Sequence, residues 1–428
     1  MLRKISAQVI RMVVAPLARR VYRIRAVHPE RVPATGGALL LPNHVTYIDA
    51  ILLYCGCPRP VRFVMDEVFA RHPVIRLLTS MFDTVNIRKD SPIDAIRVVL
   101  KGLANGEIIC LFAEGQLTRT GTLCELQKGF ELIARKAKTP LIPVWIDGAW
   151  GSVFSFERNR FFWKKPRGSG RGVTVAYGEP LDPAQSNASS LTAALQAASV
   201  LAVSSRKNDR TLRRKIPGKD MVASAFRALD PPSRRRMWLN GHQIGMVNAI
   251  PRKETIHCIG NDPCVTRFLG LFAAFPALYG GKLVIHDWFD GDHAGIWIGG
   301  DRLRGAIQSS QINHEIDFYD LDVASAAQPL DRGNIRHFPC LACEDVIVAM
   351  SMPHPPPSSV TSLPVQKGHC FRTWGRLLPG WKVRDTGSEL IAVGPVASEE
   401  RMVLPAGTIS PEGVFLSPPA PRKSRSGM

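Results

Sequence analysis

The chain has 428 residues, of which 45% are hydrophobic and 21% charged, and this composition excludes a largely disordered protein. The net charge of +19 indicates a partner with negative charge, either anionic lipid or nucleic acid. The nine cysteines form neither a disulfide framework nor a complete zinc site, because the C-x-x-C pair Cys340 and Cys343 lacks a second pair of ligands. This cysteine usage is typical of the cytoplasm.

Residues 1–25 mix apolar side chains with several arginines and lysines, and they contain no apolar run long enough for a signal sequence or a membrane span. At helical spacing, the pattern predicts a basic amphipathic segment that lies in a lipid interface, with its arginines reaching anionic headgroups. The alternative is an ordinary surface helix that packs on its own domain.

Short apolar runs alternate with segments of helical length in the N-terminal half. The runs predict buried strands at residues 38–41, 61–65, 85–87, 108–112, 141–146 and 173–177. Helices are predicted at residues 67–82, 92–105 and 125–138, and a closing helix at 185–200. This alternation predicts an α/β domain with a mixed sheet flanked by helices.

The first polar cluster follows the predicted strand 38–41. It contains Asn43, His44 and, five positions after the histidine, Asp49. An acid one and a half helical turns away can reach the imidazole. A neutral histidine can remove the proton of an alcohol that attacks a thioester, while the acid holds the other ring nitrogen and no enzyme nucleophile is needed. Read alone, the same residues fit a helix cap at Asn43 or His44 with Asp49 as a solvated charge.

The second cluster follows the predicted strand 108–112. Gly115 permits close backbone approach, Thr118 offers a hydroxyl group, and Arg119 offers a planar fork that matches a phosphate. The cluster predicts an anion site, in which Glu114 orients an arginine or accepts a hydrogen bond from a glycerol hydroxyl. Arg88, just past the predicted strand 85–87, is a further candidate, with a plain surface charge as its alternative.

These blocks, with Pro143 in a later strand, resemble the glycerophospholipid (1-acylglycerol-3-phosphate or lysophospholipid) acyltransferase family. The family pattern is N-H-x4-D, a strand-end arginine, F-P-E-G-x-x-[ST]-R and V-P, and the likeness covers residues 22–182. Ala113 stands where the family has proline. The resemblance implies a catalytic pair, His44 and Asp49, and acceptor-binding residues Arg88, Glu114, Gly115, Thr118 and Arg119. Asn43, Thr118 and Pro143 would shape the site.

A closer resemblance, in residues 63–66, 116–121 and 145–152, is to the acyltransferase part of bacterial proteins that fuse it to an acyl-carrier-protein synthetase. In those proteins an adenylate-forming ligase follows, and residues 250–416 are partly similar to one. The loop that would hold the ATP phosphates is absent at residues 251–258. The C-terminal half therefore resembles a degenerate, inactive ligase that binds carrier protein, membrane or a partner, or is a structural remnant.

The predicted organisation has five parts: a basic amphipathic membrane-interface segment (1–25), an acyltransferase domain (26–203), a basic linker (204–220), a smaller, truncated ligase-like α/β module (221–417) and a disordered tail (418–428). The resemblance implies transfer of a fatty acyl group from acyl-CoA or acyl-carrier protein to 1-acylglycerol-3-phosphate or 2-acyl-glycerophosphoethanolamine. It implies no cofactor, no metal and no nucleic acid.

The expected location is peripheral, on the cytoplasmic side of the cell membrane. An acyl-activating ligase is an alternative that fails on the missing phosphate loop. A nonenzymatic lipid-, partner- or nucleic-acid-binding protein is a second alternative, supported by the charge alone, since no nucleic-acid-binding module is recognisable.

Overall fold

The computed structural model of the chain comprises two compact units. The first contains Met1–Arg206 together with Pro356–Gln366, and the second contains Lys207–Pro355 and Lys367–Met428. The described residues are 15–66, 84–87, 92–160, 164, 171–206, 224, 227–245, 247, 250, 254–268, 282–328, 330–356, 365–370, 372–395, 397 and 401–419.

The first unit alternates strands and helices along the chain. Its helices are α1 (Ala15–Val21), α2 (Asp49–Gly56), α3 (Pro92–Ala104), α4 (Gly129–Ala137) and α5 (Ala188–Ser205). Its strands are β1 (Tyr22–Val27), β2 (Ala38–Pro42), β3 (Val61–Asp66), β4 (Thr84–Ile87), β5 (Ile108–Cys110), β6 (Leu141–Asp147) and β7 (Arg171–Tyr177). All six predicted strands are confirmed, as are three predicted helices, while the predicted helix at 67–82 lies outside the described residues.

The strands of the first unit form a mixed sheet in the order β1-β7-β6-β2-β5-β3-β4. The β6–β7 pair is antiparallel and the other neighbouring strands are parallel. The carboxyl ends of parallel strands lie at one edge of a sheet, which is where α/β proteins place their sites. The chain therefore leaves β2 and its two neighbours, β5 and β6, at the same edge.

Apolar side chains cover both faces of this sheet. Leu40 of β2 lies in one buried cluster with residues of α2, whereas Leu39 and Leu41 lie in a second cluster with residues of α3, α4 and α5. Successive residues of a strand point to opposite faces, so a strand buried on both sides has an uninterrupted apolar sequence. This explains why short apolar runs located the strands correctly.

The N-terminal helix is shorter than the sequence pattern predicts. Helix α1 ends at Val21, and Tyr22–Val27 pairs with β7 as an edge strand, so the helical prediction is wrong for residues 22–25. Apolar and basic residues alternate along Tyr22–Arg25, and this period of two residues is that of a β-strand with one face exposed. Arg19 Nη2 donates to the carbonyl of Cys55 at 3.1 Å, so α1 contacts its own domain, while its predicted place in a lipid interface stays a prediction.

Among the described residues, α5 is the one helix long and apolar enough to cross a membrane. Leu191, Leu195, Ala198 and Ala202 on this helix are fully buried in the core cluster below the sheet. The length and apolar composition of α5 are therefore those of a core helix.

The second unit is also an α/β structure. Its helices are α6 (Pro231–Gly245), α7 (Pro263–Arg267) and α8 (Asp301–Ser309). Its strands are β8 (Thr255–Ile259), β9 (Lys282–His286), β10 (Gly295–Gly299), β11 (Ile316–Asp320), β12 (Ile335–Cys343), β13 (Val346–Met350), β14 (Gly375–Leu377), β15 (Lys382–Asp385), β16 (Leu390–Val393), β17 (Arg401–Leu404), β18 (Thr408–Ile409) and β19 (Phe415–Ser417).

One sheet of the second unit has the order β18-β19-β14-β13-β12-β11-β10-β8-β9, and the other has the order β15-β16-β17. Strands β8 to β12 of the larger sheet pair in parallel, and its remaining pairs are antiparallel. Apolar runs in the sequence of the second half predict strands at residues 282–285 and 389–393, and β9 and β16 confirm both. The sequence also predicts a buried helix in the apolar segment before residue 282, most of which lies outside the described residues.

Candidate active site

Asn43 is the first residue after β2, and its amide side chain is buried. Its Oδ1 accepts the N–H of Ile146 at 2.6 Å, and its Nδ2 donates to the carbonyl of the same residue at 3.2 Å. Ile146 lies in β6, so Asn43 joins the ends of two neighbouring strands, and it caps no helix. This fixes the point at which the chain turns from the sheet into the site.

His44 and Asp49 are in hydrogen-bond contact. His44 Nδ1 lies 3.0 Å from Asp49 Oδ2. The Asp49 carboxylate is fully buried, and it also accepts the N–H groups of Val45 (2.6 Å) and Thr46 (2.8 Å) and the Thr46 hydroxyl (2.5 Å). Asp49 is therefore not a solvated surface charge, which was the alternative left open by the sequence.

This contact assigns the two ring nitrogens of His44. Because Asp49 accepts the proton of Nδ1, the lone pair of the neutral ring is on Nε2. No described residue hydrogen-bonds to Nε2, and the side chain of His44 is 22% exposed. Nε2 can accordingly accept a proton from a bound molecule.

Phe112 stacks on the imidazole of His44. The two ring centroids are 3.9 Å apart and the planes meet at 24°. Phe112 follows β5, whereas His44 follows β2, and the two strands are neighbours in the sheet. The stack limits rotation of the imidazole and so helps to keep Nδ1 on Asp49.

Glu114 joins the two loops of the site. Its side chain is almost fully buried, with Oε1 accepting the backbone N–H of His44 at 2.6 Å and Oε2 accepting the backbone N–H of Cys124 at 2.7 Å. The sequence predicted a contact of Glu114 with an arginine or with the glycerol of the acceptor. In the structure, both carboxylate oxygens bind backbone groups, so Glu114 holds the loop that carries His44.

Gly115 and Thr118 shape the turn that follows. Gly115 has a φ of 67°, a left-handed conformation that favours glycine. The Thr118 N–H donates to the carbonyl of His44 at 2.8 Å, and the Thr118 hydroxyl donates to the carbonyl of Thr122 at 2.7 Å and accepts the N–H of Gly121 at 3.0 Å. The Thr118 hydroxyl thus supports the loop from inside.

Arg119 lies in an aromatic surrounding. Its guanidinium carbon is 4.6 Å from the centroid of the Phe156 ring, and the Tyr47 ring is 6.0 Å from that of Phe156. Burial lowers the pKa of Arg119 and raises the pKa of Tyr47, while the charge of Arg119 opposes the second shift. Arginine remains charged at neutral pH, and Tyr47 remains a neutral phenol. This Arg119 cluster (Arg119, Tyr47 and Phe156) presents a positive charge held against an aromatic face.

The structure brings together all but one of the predicted site residues. His44, Asp49, Glu114, Gly115, Thr118 and Arg119 occupy the loops after β2 and β5, whereas Arg88 lies outside the described residues. The sequence prediction missed Phe112, Tyr47 and Phe156. Phe112 and Tyr47 lie inside the recognised motifs and could have been suspected, but Phe156 lies in the long loop after β6 and carries no local signal.

Known proteins similar to this chain match part of the first unit. Residues 23–147 match the family model described as Acyltransferase. A 1-acyl-sn-glycerol-3-phosphate acyltransferase of Bacillus subtilis is 24% identical over 139 residues, which are 32% of this chain and 69% of that protein. One of Cocos nucifera is 24% identical over 120 residues, 26% of this chain and 39% of that protein.

Solved structures of two classes are also similar. The 1-acyl-sn-glycerophosphate acyltransferase PlsC of Thermotoga maritima has a TM-score of 0.35 at 20% identity, covering 46% of this chain and 79% of its own. MenE of E. coli has a TM-score of 0.29 at 10% identity, and the match covers 97% of this chain and 71% of MenE. NpsA-ThdA of Klebsiella oxytoca, an artificially fused adenylation–PCP di-domain, has a TM-score of 0.27 at 10% identity, and the match covers 98% of this chain and 72% of that protein.

Proposed function

We propose that the acyltransferase-family domain of residues 23–147 transfers a fatty acyl group from a thioester to the free hydroxyl of a lysophospholipid. The observation that carries this proposal is the His44–Asp49 contact, in which a fully buried carboxylate holds a partly exposed imidazole by one nitrogen. The favoured acceptor is 1-acylglycerol-3-phosphate, because the two curated relatives carry its name.

The proposed reaction needs one proton acceptor. His44 Nε2 takes the proton of the acceptor hydroxyl while the hydroxyl oxygen bonds to the thioester carbonyl carbon, and Asp49 stabilises the imidazolium that forms. The tetrahedral intermediate then collapses, the C–S bond breaks, and the leaving sulfur takes the proton back from Nε2. The products are an ester and a free thiol, and the enzyme returns to its starting state.

Arg119 is the proposed ligand for the phosphate of the acceptor. A guanidinium donates two parallel hydrogen bonds to phosphate oxygens, and the Phe156 face below it holds its plane. Arg88 is proposed to bind the same phosphate. Glu114 and Thr118 would serve the acceptor through the loops that they support.

Acyl transfer by the purified full-length protein tests the proposal. Acyl-CoA and acyl-carrier protein are offered as donors, each with lysophosphatidic acid and with lysophosphatidylethanolamine as acceptor. We expect transfer to lysophosphatidic acid, and none from His44→Ala. We expect Arg119→Lys to raise the KM for this acceptor about 10-fold, because lysine cannot donate in a bidentate fork. A folded protein that transfers nothing in any pairing would contradict the proposal and favour nonenzymatic lipid binding.

We further propose that α1 docks on the cytoplasmic face of the cell membrane as a peripheral contact. Leu17 and Val21 on this helix are 60% and 44% exposed, and Arg20 lies between them on the exposed surface. Apolar side chains beside arginines suit the boundary of an anionic bilayer. This supports approach of the site to a lipid acceptor without a membrane span.

Vesicle sedimentation tests the docking of α1. We expect Val21→Asp combined with Leu17→Asp to weaken binding to vesicles containing phosphatidylglycerol about 10-fold or more, since two apolar contacts are lost. The matched control is Val98→Asp on α3, because Val98 is 41% exposed but its helix packs on the opposite face of the sheet. Equal binding by the double variant and by the control would contradict the docking.

A further inference from the structure

Gln366 is a buried residue of the first unit that comes from the C-terminal half of the sequence. Its stretch, Pro356–Gln366, belongs to the first unit, and Gln366 itself is 3% exposed. Gln366 Oε1 accepts the backbone N–H of Arg119 at 2.7 Å, and Gln366 Nε2 donates to the backbone carbonyl of Leu117 at 2.8 Å. One amide therefore binds the backbone on both sides of Thr118.

This arrangement needs a primary amide. In extended backbone, the carbonyl before a residue and the N–H after it point to the same side, where a neighbouring strand would supply one donor and one acceptor. Leu117 and Thr118 are 7% and 2% exposed, so backbone groups at this point need partners from the protein. The side chain of Gln366 supplies both partners, whereas a carboxylate or an aliphatic side chain cannot.

The chain is fixed again immediately after Gln366. Within the second unit, the carbonyl of Lys367 accepts a hydrogen bond from Nη1 of the fully buried Arg376 at 2.7 Å. The N–H of Gly368 donates to His354 Nδ1 at 3.0 Å, and a Cβ at Gly368 would lie 2.3 Å from the carbonyl oxygens of Met352 and Pro353. Only glycine fits there. Lys367 and Gly368 are thus held within the second unit.

We propose that Gln366 is a positioning residue for the acyl-acceptor site. It holds the backbone of residues 117–119 and thereby the Arg119 cluster, to which the proposed function assigns the acceptor phosphate. This inference rests on that proposed function. It gives a glutamine from the C-terminal half of the sequence a task within the first unit that requires neither ATP nor a carrier protein.

The test compares Gln366→Ala with a matched control in the full-length protein. The control is Gln308→Ala, because Gln308 is an exposed glutamine on α8. We expect Gln366→Ala to raise the KM for lysophosphatidic acid about 10-fold through two lost hydrogen bonds, with kcat and the donor KM unchanged. Gln366→Glu should be no better than alanine, since its carboxylate would face the carbonyl of Leu117.

Hydrogen–deuterium exchange supplies a second readout that is independent of catalysis. We expect the amide of Arg119 to exchange faster in Gln366→Ala than in the wild type and in Gln308→Ala. Should the alanine variant fail to fold, Gln366→Asn keeps the amide on a side chain one methylene shorter, and an intermediate KM is expected.

Equal acceptor KM values for Gln366→Ala and Gln308→Ala would overturn the positioning role. A loss of thermal stability with the acceptor KM unchanged would also overturn it, since that is the result of a purely structural contact. Should even the wild type transfer nothing, the proposed function fails. Exchange at Arg119 then decides by itself whether Gln366 clamps this loop, with unchanged exchange overturning the clamp.

Discussion

Each unit contains a histidine–aspartate pair, and the two pairs have the same separation. His44 Nδ1 is 3.0 Å from Asp49, and His337 Nε2 is 3.0 Å from Asp320. Both aspartates are fully buried. The N···O distance between the two side chains therefore cannot tell a candidate catalytic pair from any other.

The surroundings of the two pairs differ. In the second unit, Asp320 also binds Arg304 Nη1 at 2.7 Å, and His337 Nδ1 accepts the N–H of Leu330 at 3.1 Å, so both ring nitrogens of His337 are used. His337 is 4% exposed. In the first unit, the further donors to Asp49 are uncharged, and His44 is 22% exposed. The lesson is that the second ring nitrogen of the histidine, and its access to solvent, separate a proton acceptor from a structural support.

The largest expected effect comes from removing each imidazole in turn. We expect His44→Ala to lower kcat about 1000-fold with little change in the free energy of unfolding, because it removes the proposed general base. We expect His337→Ala to lower the free energy of unfolding by about 2 kcal/mol, because it leaves the Leu330 N–H without its acceptor. Initial rates and urea unfolding measure the two effects. Equal losses of activity in the two variants would contradict the assignment of His44 as proton acceptor and His337 as structural support.

Neutralising each aspartate is expected to give a smaller loss of activity. Asp49→Asn should lower kcat about 100-fold, because an amide no longer fixes the proton on Nδ1 of His44. Asp320→Asn should instead cost about 3 kcal/mol of stability, because it leaves the largely buried Arg304 side chain, 12% exposed, with an uncharged partner. The rate per folded molecule, measured alongside the unfolding curve, separates the two outcomes. A wild-type rate for Asp49→Asn would argue against its role.

The smallest expected effect is a pH dependence confined to the second unit. Burial, aided by the nearby charges of His286 and His293 and opposed by Asp290, lowers the pKa of His257 from 6.5 to about 4. The folded state therefore binds fewer protons than the unfolded state between these values. The contribution of neutral His257 to the free energy of unfolding is fully present above pH 6.5 and decreases as the pH is lowered towards 4. Below pH 4, His257 causes no further change in stability.

Urea midpoints at pH 7 and pH 5 measure this dependence. His257→Gln should reduce the dependence of the urea midpoint on pH. The matched change His314→Gln should leave this dependence unchanged, because His314 is not among the histidine rings that contact His257, namely His286 and His293. A wild-type pH dependence in His257→Gln would show that another group is responsible.

Local patterns were sufficient to predict most of the first unit. Apolar runs located the strands because the sheet is buried on both faces, and the polar clusters were found because both follow strand ends at one edge. The helical interpretation was wrong for Tyr22–Arg25 because the helical spacing of apolar residues up to Val21 was continued into the strand that follows. Pairing with β7 decides between the two readings, and pairing is not a local property.

The missed residues of the site share a different cause. Phe156 meets Arg119 because the loop after β6 returns to the loop after β2, where the N–H of Tyr47 donates to the carbonyl of Phe154 at 3.3 Å. Gln366 meets Arg119 across 247 positions of sequence. Neither contact produces a recognisable pattern in the sequence around Phe156 or Gln366. The two carboxylate oxygens of Glu114 accept backbone N–H groups of His44 and Cys124, which the sequence did not reveal, and its predicted contact with an arginine or a glycerol hydroxyl stays a prediction.

The discontinuous first unit also has a consequence for biosynthesis. Its contribution from Pro356–Gln366 emerges from the ribosome about 160 residues after Arg206, a delay of roughly 10–30 s at ordinary rates of translation. Until then, the backbone at Leu117 and Arg119 lacks its glutamine. In a nascent or prematurely terminated chain, the loop of residues 117–119 therefore lacks the two hydrogen bonds from Gln366. The proposed acceptor site is complete only after translation has passed Gln366.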